Sequence, residues 1–96
     1  MDLKDYRDLC HKIAREKGFW EASDNIAVKL MLIVTELGEA CEEDRKNNKE
    51  NFEEEIADVF IRLFDLCGYL NIDIEKVIQN KISINIDRPK LHGKKY

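Results

Sequence analysis

Four acidic residues are spaced so that they could bind a divalent cation together. Glu36 and Glu39 are three residues apart, and so are Glu55 and Asp58, which places each pair on one side of a helix. A short turn joins the two helices, so they should pack antiparallel and bring both pairs to about the same level. Carboxylate oxygens are the ligands that Mg²⁺ and Mn²⁺ prefer. The pattern therefore predicts a Mg²⁺ site, with Mn²⁺ as a substitute ion.

The ordinary alternative is that these acids lie on solvated helix faces, because Glu is a good helix former. Each pair borders an apolar face, however, and like charges in a partly desolvated place repel each other unless a cation is present. Glu43, one turn beyond Glu39, is an additional candidate ligand. A di-iron centre would need Glu-x-x-His pairs and zinc would need clustered Cys and His. Neither His11 nor His92 follows a Glu by three residues, so both centres are excluded.

A cationic stripe further along the chain could bind phosphate groups. Lys81, Asn85 and Arg88 follow each other by four and three residues and share one face of the fourth predicted helix if that helix extends as far as Arg88. A Lys, an amide and an Arg beside a carboxylate-bound cation suit an anionic phosphate chain. The stripe is predicted to bind substrate phosphates.

Three other side chains leave alternatives open. Arg62 lies one turn past Asp58 and either serves the site or forms an internal ion pair with Glu55 or Asp58. Trp20 is either part of the core or a stacking surface for a base, and it is included among the candidate substrate-binding residues. His11 is expected to be exposed on the polar side of its helix.

The hydrophobic periodicity predicts an all-α fold with four helices in a bundle-type domain. The first helix should run over 2–17, and the second should begin at a cap at Ser23 or Asp24 and end near 46. The third helix should be capped by Asn51 and end near 69. The fourth helix should be capped by Asp73 and end near 87. The second and third helices are apolar on more sides than four helices can cover. We therefore expect oligomerisation to complete the bundle.

Composition and charge narrow the functional class. The chain of 96 residues predicts one domain over 1–96, with a basic, mobile tail at 88–96. A net charge of −4 argues against a nucleic-acid partner. The absence of a signal peptide or a long apolar run predicts a cytoplasmic protein with no membrane partner. The three cysteines, Cys10, Cys41 and Cys67, are predicted to be buried and reduced.

Three segments resemble the MazG-like nucleotide pyrophosphohydrolases of the all-α NTP pyrophosphatase superfamily. They are LMLIVTELGEACEEDRKNN, FEEEIADVFIRLFDL and NKISINIDRPKLHGKKY, and the similarity covers about residues 19–95. The resemblance implies Mg²⁺-dependent hydrolysis of an NTP or dNTP between the α and β phosphates. It also implies homodimers, or tetramers built as dimers of dimers, with sites formed between protomers. By this resemblance the metal-binding acids are Glu36, Glu39, Glu55 and Asp58, and the phosphate-facing residues are Lys81, Asn85 and Arg88.

The predicted function is thus a nucleotide pyrophosphohydrolase that acts on a phosphoric anhydride bond. Glu36 or Glu39 is the candidate catalytic residue that orients or deprotonates the attacking water. Two alternatives predict the same bundle: a non-catalytic helical module that senses nucleotides or binds a protein, and a purely structural metal-binding bundle. Product release separates the enzyme from both.

Overall fold

The structure, a computed structural model that describes residues 1–96, consists of helices and loops with no strands. The elements are α1 (Leu3–Glu16), α2 (Phe19–Ala22), α3 (Ile26–Arg45), α4 (Lys49–Tyr69), α5 (Ile74–Ile86) and a 3₁₀ turn (Lys90–Gly93). The all-α prediction is confirmed. The four long predicted helices correspond to α1, α3, α4 and α5.

The end of α1 and the start of α5 agree with the sequence prediction. Gly18 has a φ of +83°, the left-handed conformation that stops a helix and that glycine adopts without steric cost. At α5, the side chain of Asp73 accepts a hydrogen bond of 3.3 Å from the backbone N–H of Lys76. That bond satisfies one of the free N–H groups of the first turn.

Two other helix starts were predicted wrongly. The cap of α3 is Asn25, which accepts from the backbone N–H of Val28 at 3.2 Å, rather than Ser23 or Asp24. The cap of α4 is Asn48, whose side chain accepts from the backbone N–H of the predicted cap, Asn51, at 3.1 Å. Both errors have the same cause. Several residues whose side chains can cap a helix lie close together in the sequence, and only the backbone conformation determines which of them is the cap.

The segment predicted as a plain connection after α1 contains a helical turn, α2. Ser23 ends this turn, and its backbone N–H donates to the carbonyl of Phe19 at 3.4 Å. The turn places Trp20 against α4 through a hydrogen bond to Asp65. It therefore adds a contact between distant parts of the chain that hydrophobic periodicity does not reveal.

The long helices α3 and α4 form an antiparallel hairpin, and α1 packs along α4. The helix α5 contacts α1 and makes little contact with the hairpin. A close approach joins α1 to α4 at Gly68, where a Cβ would lie 2.6 Å from the Cβ of His11. Only a residue without a side chain allows the two helices to come this close.

One copy of the chain buries few apolar side chains. The buried ones are Cys10, Ala14, Ile33, Ala40, Leu66 and Cys67. Large apolar residues of all five α-helices stay exposed, among them Met31 (60%), Phe60 (57%) and Ile82 (52%). Cys41 is exposed as well, so the prediction that all three cysteines are buried is wrong. Exposed apolar faces of this extent are typical of protein interfaces, and oligomerisation stays a prediction that they support.

None of the helices combines the length and the hydropathy needed to span a bilayer.

Candidate metal centre

The hairpin brings three of the predicted acids together. Glu36 and Glu39 project from α3 and Glu55 projects from α4. One carboxylate oxygen from each lies within 4.8 Å of the others. The short turn at Asn47 and Asn48 fixes the register that makes these residues level.

Asp58 is not a member of this three-carboxylate group. It is exposed and lies on the wall of a neighbouring cavity together with Glu36. Three residues of an α-helix turn by about 300°, so a short side chain at this position points to one side of Glu55. Glu43 also lies outside the group, 3.9 Å from the ammonium of Lys46. A ligand role for Asp58 stays a prediction.

Arg62 forms an ion pair, but with a different acid from the two that were expected. Its Nε donates to Oε1 of Glu36 at 3.0 Å, whereas the sequence suggested Glu55 or Asp58 on the same helix. The ion pair forms between the two helices because Glu36 lies across the hairpin from Arg62 and is well shielded from water. The Glu36 side chain is 12% exposed and that of Arg62 is 32% exposed.

Two carboxylate oxygens at the site are buried without any hydrogen-bond partner. They are Oε2 of Glu36 and Oε2 of Glu55. An unpaired buried oxygen of this kind loses its hydration without compensation. A hard divalent cation would supply that compensation, and oxygen ligands from facing helices are the donors it takes. The residues present therefore fit a divalent cation.

The proximity of the three carboxyl groups changes the pKa of two of them. Burial, followed by the proximity and negative charge of Glu36 and Glu39, raises the pKa of Glu55 to about 7. Burial also acts to raise the pKa of Glu36, but the hydrogen bond from Arg62, together with the two neighbouring carboxyl groups, outweighs it and lowers that pKa below its usual range. Glu55 is therefore partly protonated at neutral pH unless a cation takes the place of the proton.

The cationic stripe lies elsewhere in the chain. Lys81, Asn85 and Arg88 are all exposed. The guanidinium of Arg88 lies 3.3 Å from Nδ1 of His92, and none of the three residues donates a hydrogen bond to the acids. Within one chain the stripe and the carboxylates are therefore not brought together. A phosphate-binding role of the stripe stays a prediction.

Sequence reasoning missed an aromatic cluster between α1, α2 and α4. The rings of Trp20 and Tyr69 stack with centroids 3.8 Å apart, and the Lys29 ammonium lies 4.4 Å from the Trp20 centroid. Asp65 accepts from Trp20 Nε1 at 2.9 Å and pairs with His11 Nδ1 at 2.8 Å. Trp20 is thus engaged within the chain, and stacking on a base stays a prediction.

The expectation that His11 is exposed is wrong, because its side chain is only 17% exposed. Its contact with Gly68 explains why: a glycine on the facing helix leaves room for the ring. Lys29 was overlooked in the same way. It is 9% exposed and donates to the carbonyl of Phe19 at 2.6 Å. The only sequence signal for a buried Lys29 was its position within an apolar run that comes shortly after Trp20.

A cavity of about 540 Å³ opens beside the metal-centre residues. Apolar side chains of α1 and α4 and the ring of Phe19 form most of its lining. Its polar wall consists of Glu36, Asp58, Arg62 and Asp65. An apolar hollow with a few convergent polar groups is the usual form of a small-molecule site.

Comparison with known families identifies the class of protein. The MazG nucleotide pyrophosphohydrolase domain matches residues 24–92, which include the hairpin, α5 and the start of the tail. The chain belongs to this family. No curated protein and no solved structure matched the chain.

Proposed function

We propose that this protein is a nucleoside triphosphate pyrophosphohydrolase that hydrolyses an NTP or dNTP between the α and β phosphates. Water forms a new bond to phosphorus, the bond to the bridging oxygen breaks, and a monophosphate and pyrophosphate leave. The observation that carries the proposal is the pair of buried, unpartnered oxygens of Glu36 and Glu55 within a three-carboxylate group. Family membership supports the same class of reaction.

The acids of the hairpin would hold the ion. Glu36, Glu39 and Glu55 provide oxygens within 4.8 Å of one another, and Asp58 is the proposed fourth ligand. Mg²⁺, for which Mn²⁺ can substitute, would neutralise phosphate charge and favour ionisation of water at the site. A cation meets a need that the protein itself creates there, because the acids repel each other without it.

Glu39 is the better of the two candidate catalytic residues. It is exposed, so water and substrate can reach its carboxylate. Glu36 is 9% exposed and engaged by Arg62. We assign to Glu39 the orientation or deprotonation of the attacking water, and to Glu36 mainly the binding of the ion.

The substrate is proposed to lie across the metal centre and the neighbouring cavity. The apolar lining of the cavity beside Glu36 suits the base and the sugar, and the phosphates would then extend to the acids. Lys81, Asn85 and Arg88 would bind the phosphates from a second copy of the chain. That copy would form a homodimer, or a tetramer built from two dimers, with the first.

The test is the release of pyrophosphate from a panel of NTPs and dNTPs, with Mg²⁺, with Mn²⁺ and with EDTA. We expect metal-dependent release of equal amounts of monophosphate and pyrophosphate from at least one nucleotide. Orthophosphate release would identify a different bond as the target. Nucleotide binding without product would instead favour the non-catalytic module, and no nucleotide-dependent rise in melting temperature would favour a structural bundle.

A further inference from the structure

Arg62 connects the two helices of the hairpin directly at the candidate metal centre. Its Nε donates to Oε1 of Glu36 at 3.0 Å, so a side chain of α4 holds a side chain of α3. The contact is well shielded, with side-chain exposures of 32% for Arg62 and 12% for Glu36. In such a place a charge-assisted hydrogen bond is stronger than at the surface.

The contact involves one oxygen of the carboxylate and leaves the other free. Oε2 of Glu36 is buried and has no hydrogen-bond partner. A guanidinium often binds a carboxylate through two parallel hydrogen bonds, and that geometry would have occupied both oxygens. The single bond instead leaves Oε2 without a partner, in a carboxylate that has one oxygen within 4.8 Å of oxygens of Glu39 and Glu55.

We propose that Arg62 is a positioning residue of the metal centre, which holds Glu36 by one oxygen so that the other is presented to a divalent cation. The inference rests on the proposed function, because it takes the three acids as ligands. Arg62 touches neither the reacting atoms nor the cation. It acts through Glu36, as hydrogen-bonding partners of metal ligands do elsewhere.

The proposal makes a prediction opposite in sign to that of simple electrostatics. Removing a positive charge beside three acids should tighten the binding of a cation if Arg62 only competes with it. If Arg62 orients Glu36, its removal lets the carboxylate rotate and weakens binding despite the gain in negative charge. The direction of the change therefore separates a positioning residue from a competing cation.

The experiment is calorimetric titration of the full chain with Mg²⁺ alone and with Mn²⁺ alone, in the absence of nucleotide. We expect Arg62→Gln to weaken metal binding by about 10- to 100-fold, as the loss of partners of metal ligands does. Arg62→Lys, which retains the charge without the planar donor group, should lie between this variant and the wild type. Arg45→Gln is the matched control: Arg45 is exposed and pairs with Glu42, so the same charge is lost away from the site and affinity should change by less than about twofold.

Circular dichroism and melting in EDTA establish that each variant is folded. If Arg62→Gln does not fold, Arg62→Lys decides the question by the same titration. Equal or tighter metal binding by the folded Arg62 variants would overturn the inference, and so would the absence of metal binding by the wild type. If the wild type binds metal but releases no pyrophosphate from any nucleotide, the proposed function fails while the role of Arg62 is still decided by the affinities.

Discussion

The two halves of the predicted site lie in different regions, the acids on the hairpin of α3 and α4 and the cations on and after α5. The two regions differ in whether one chain brings the residues of the site together. The hairpin brings Glu36, Glu39 and Glu55 within 4.8 Å of one another. Lys81 on α5 and Arg88, two residues beyond the end of that helix, are exposed, and the side-chain partner of Arg88 is His92 rather than an acid. The anionic half is thus assembled by one copy of the chain, whereas the cationic half is not.

The difference follows from how each element is held. A turn of three residues between α3 and α4 leaves little freedom in register, so acids at similar distances from it must come level. The helix α5 has no comparable constraint from the hairpin, and apolar residues such as Ile78 and Ile82 stay exposed along it. Under the proposed function, a second copy of the chain would cover this helix and place the cations.

The largest expected effect is at the hairpin. Glu39→Gln retains the shape and removes one negative charge, and we expect it to lower kcat/KM for nucleotide hydrolysis by about 100-fold or more. Glu39 is exposed, so folding should be unaffected. Glu42→Gln, on the same helix and outside the three-carboxylate group, is the control. A wild-type rate for the Glu39 variant with Mg²⁺ would show that the metal-centre assignment is wrong.

The next largest effect is expected at the cationic stripe. It tests whether residues of two copies of the chain form one site. Arg88→Ala should lower kcat/KM by about tenfold or more, because it removes charge-assisted hydrogen bonds to phosphate. Lys76→Ala, which removes an exposed cation from the start of α5, should change little.

Mixing the Arg88→Ala and Glu39→Gln proteins and allowing their subunits to exchange then tests whether the acids and Arg88 of one site come from different copies. If each site takes its acids from one copy and Arg88 from the other, equal mixing should restore about a quarter of wild-type activity, since half of the dimers are mixed and each has one intact site. No recovery beyond the sum of the two variants would place both halves in the same chain.

A smaller effect is expected where α1 and α2 join the hairpin. Asp65→Ala leaves Trp20 Nε1 and His11 Nδ1 without their common acceptor. We expect the free energy of unfolding to fall by about 1–3 kcal/mol, the usual cost of leaving shielded donors unpaired. Chemical denaturation measures it. Asp8→Ala removes an acid that is 55% exposed and pairs with Arg7, and should cost less than about 1 kcal/mol.

The smallest effect is a pH dependence specific to the metal-free hairpin. Because the pKa of Glu55 is raised to about 7, the folded protein binds more protons than the unfolded chain between about pH 4.5 and pH 7. Stability in EDTA should therefore decline across this window. The lowered pKa of Glu36 acts in the opposite direction, at lower pH, where its contribution is lost as that group is protonated.

Melting curves from pH 5 to pH 8, with EDTA and with Mn²⁺, measure this dependence. The ion displaces the proton, so the rise in melting temperature that Mn²⁺ produces should be greater at pH 8 than at pH 5. Glu55→Gln should reduce the decline in EDTA. An unchanged decline in that variant would assign the titration to another group.

The sequence predicted the parts that depend on local spacing. Hydrophobic periodicity indicated the four long helices, and the three-residue spacing with a short turn indicated that Glu36, Glu39 and Glu55 converge. The sequence did not predict which acid pairs with Arg62. That pairing depends on which side chains of α3 and α4 face each other across the hairpin, and spacing along a single helix does not reveal this. The cluster of His11, Trp20 and Asp65 also escaped prediction, since it joins residues up to 54 positions apart.

Gly68 has a consequence for which substrates could fit. Gly68 allows α1 to lie almost against α4, and residues of these two helices form most of the lining of the hollow beside Glu36. A methyl group at this position would force the helices apart and enlarge that space. Under the proposed function, the size of the base that this hollow accepts therefore depends on the absence of a side chain at Gly68, which does not itself line the hollow.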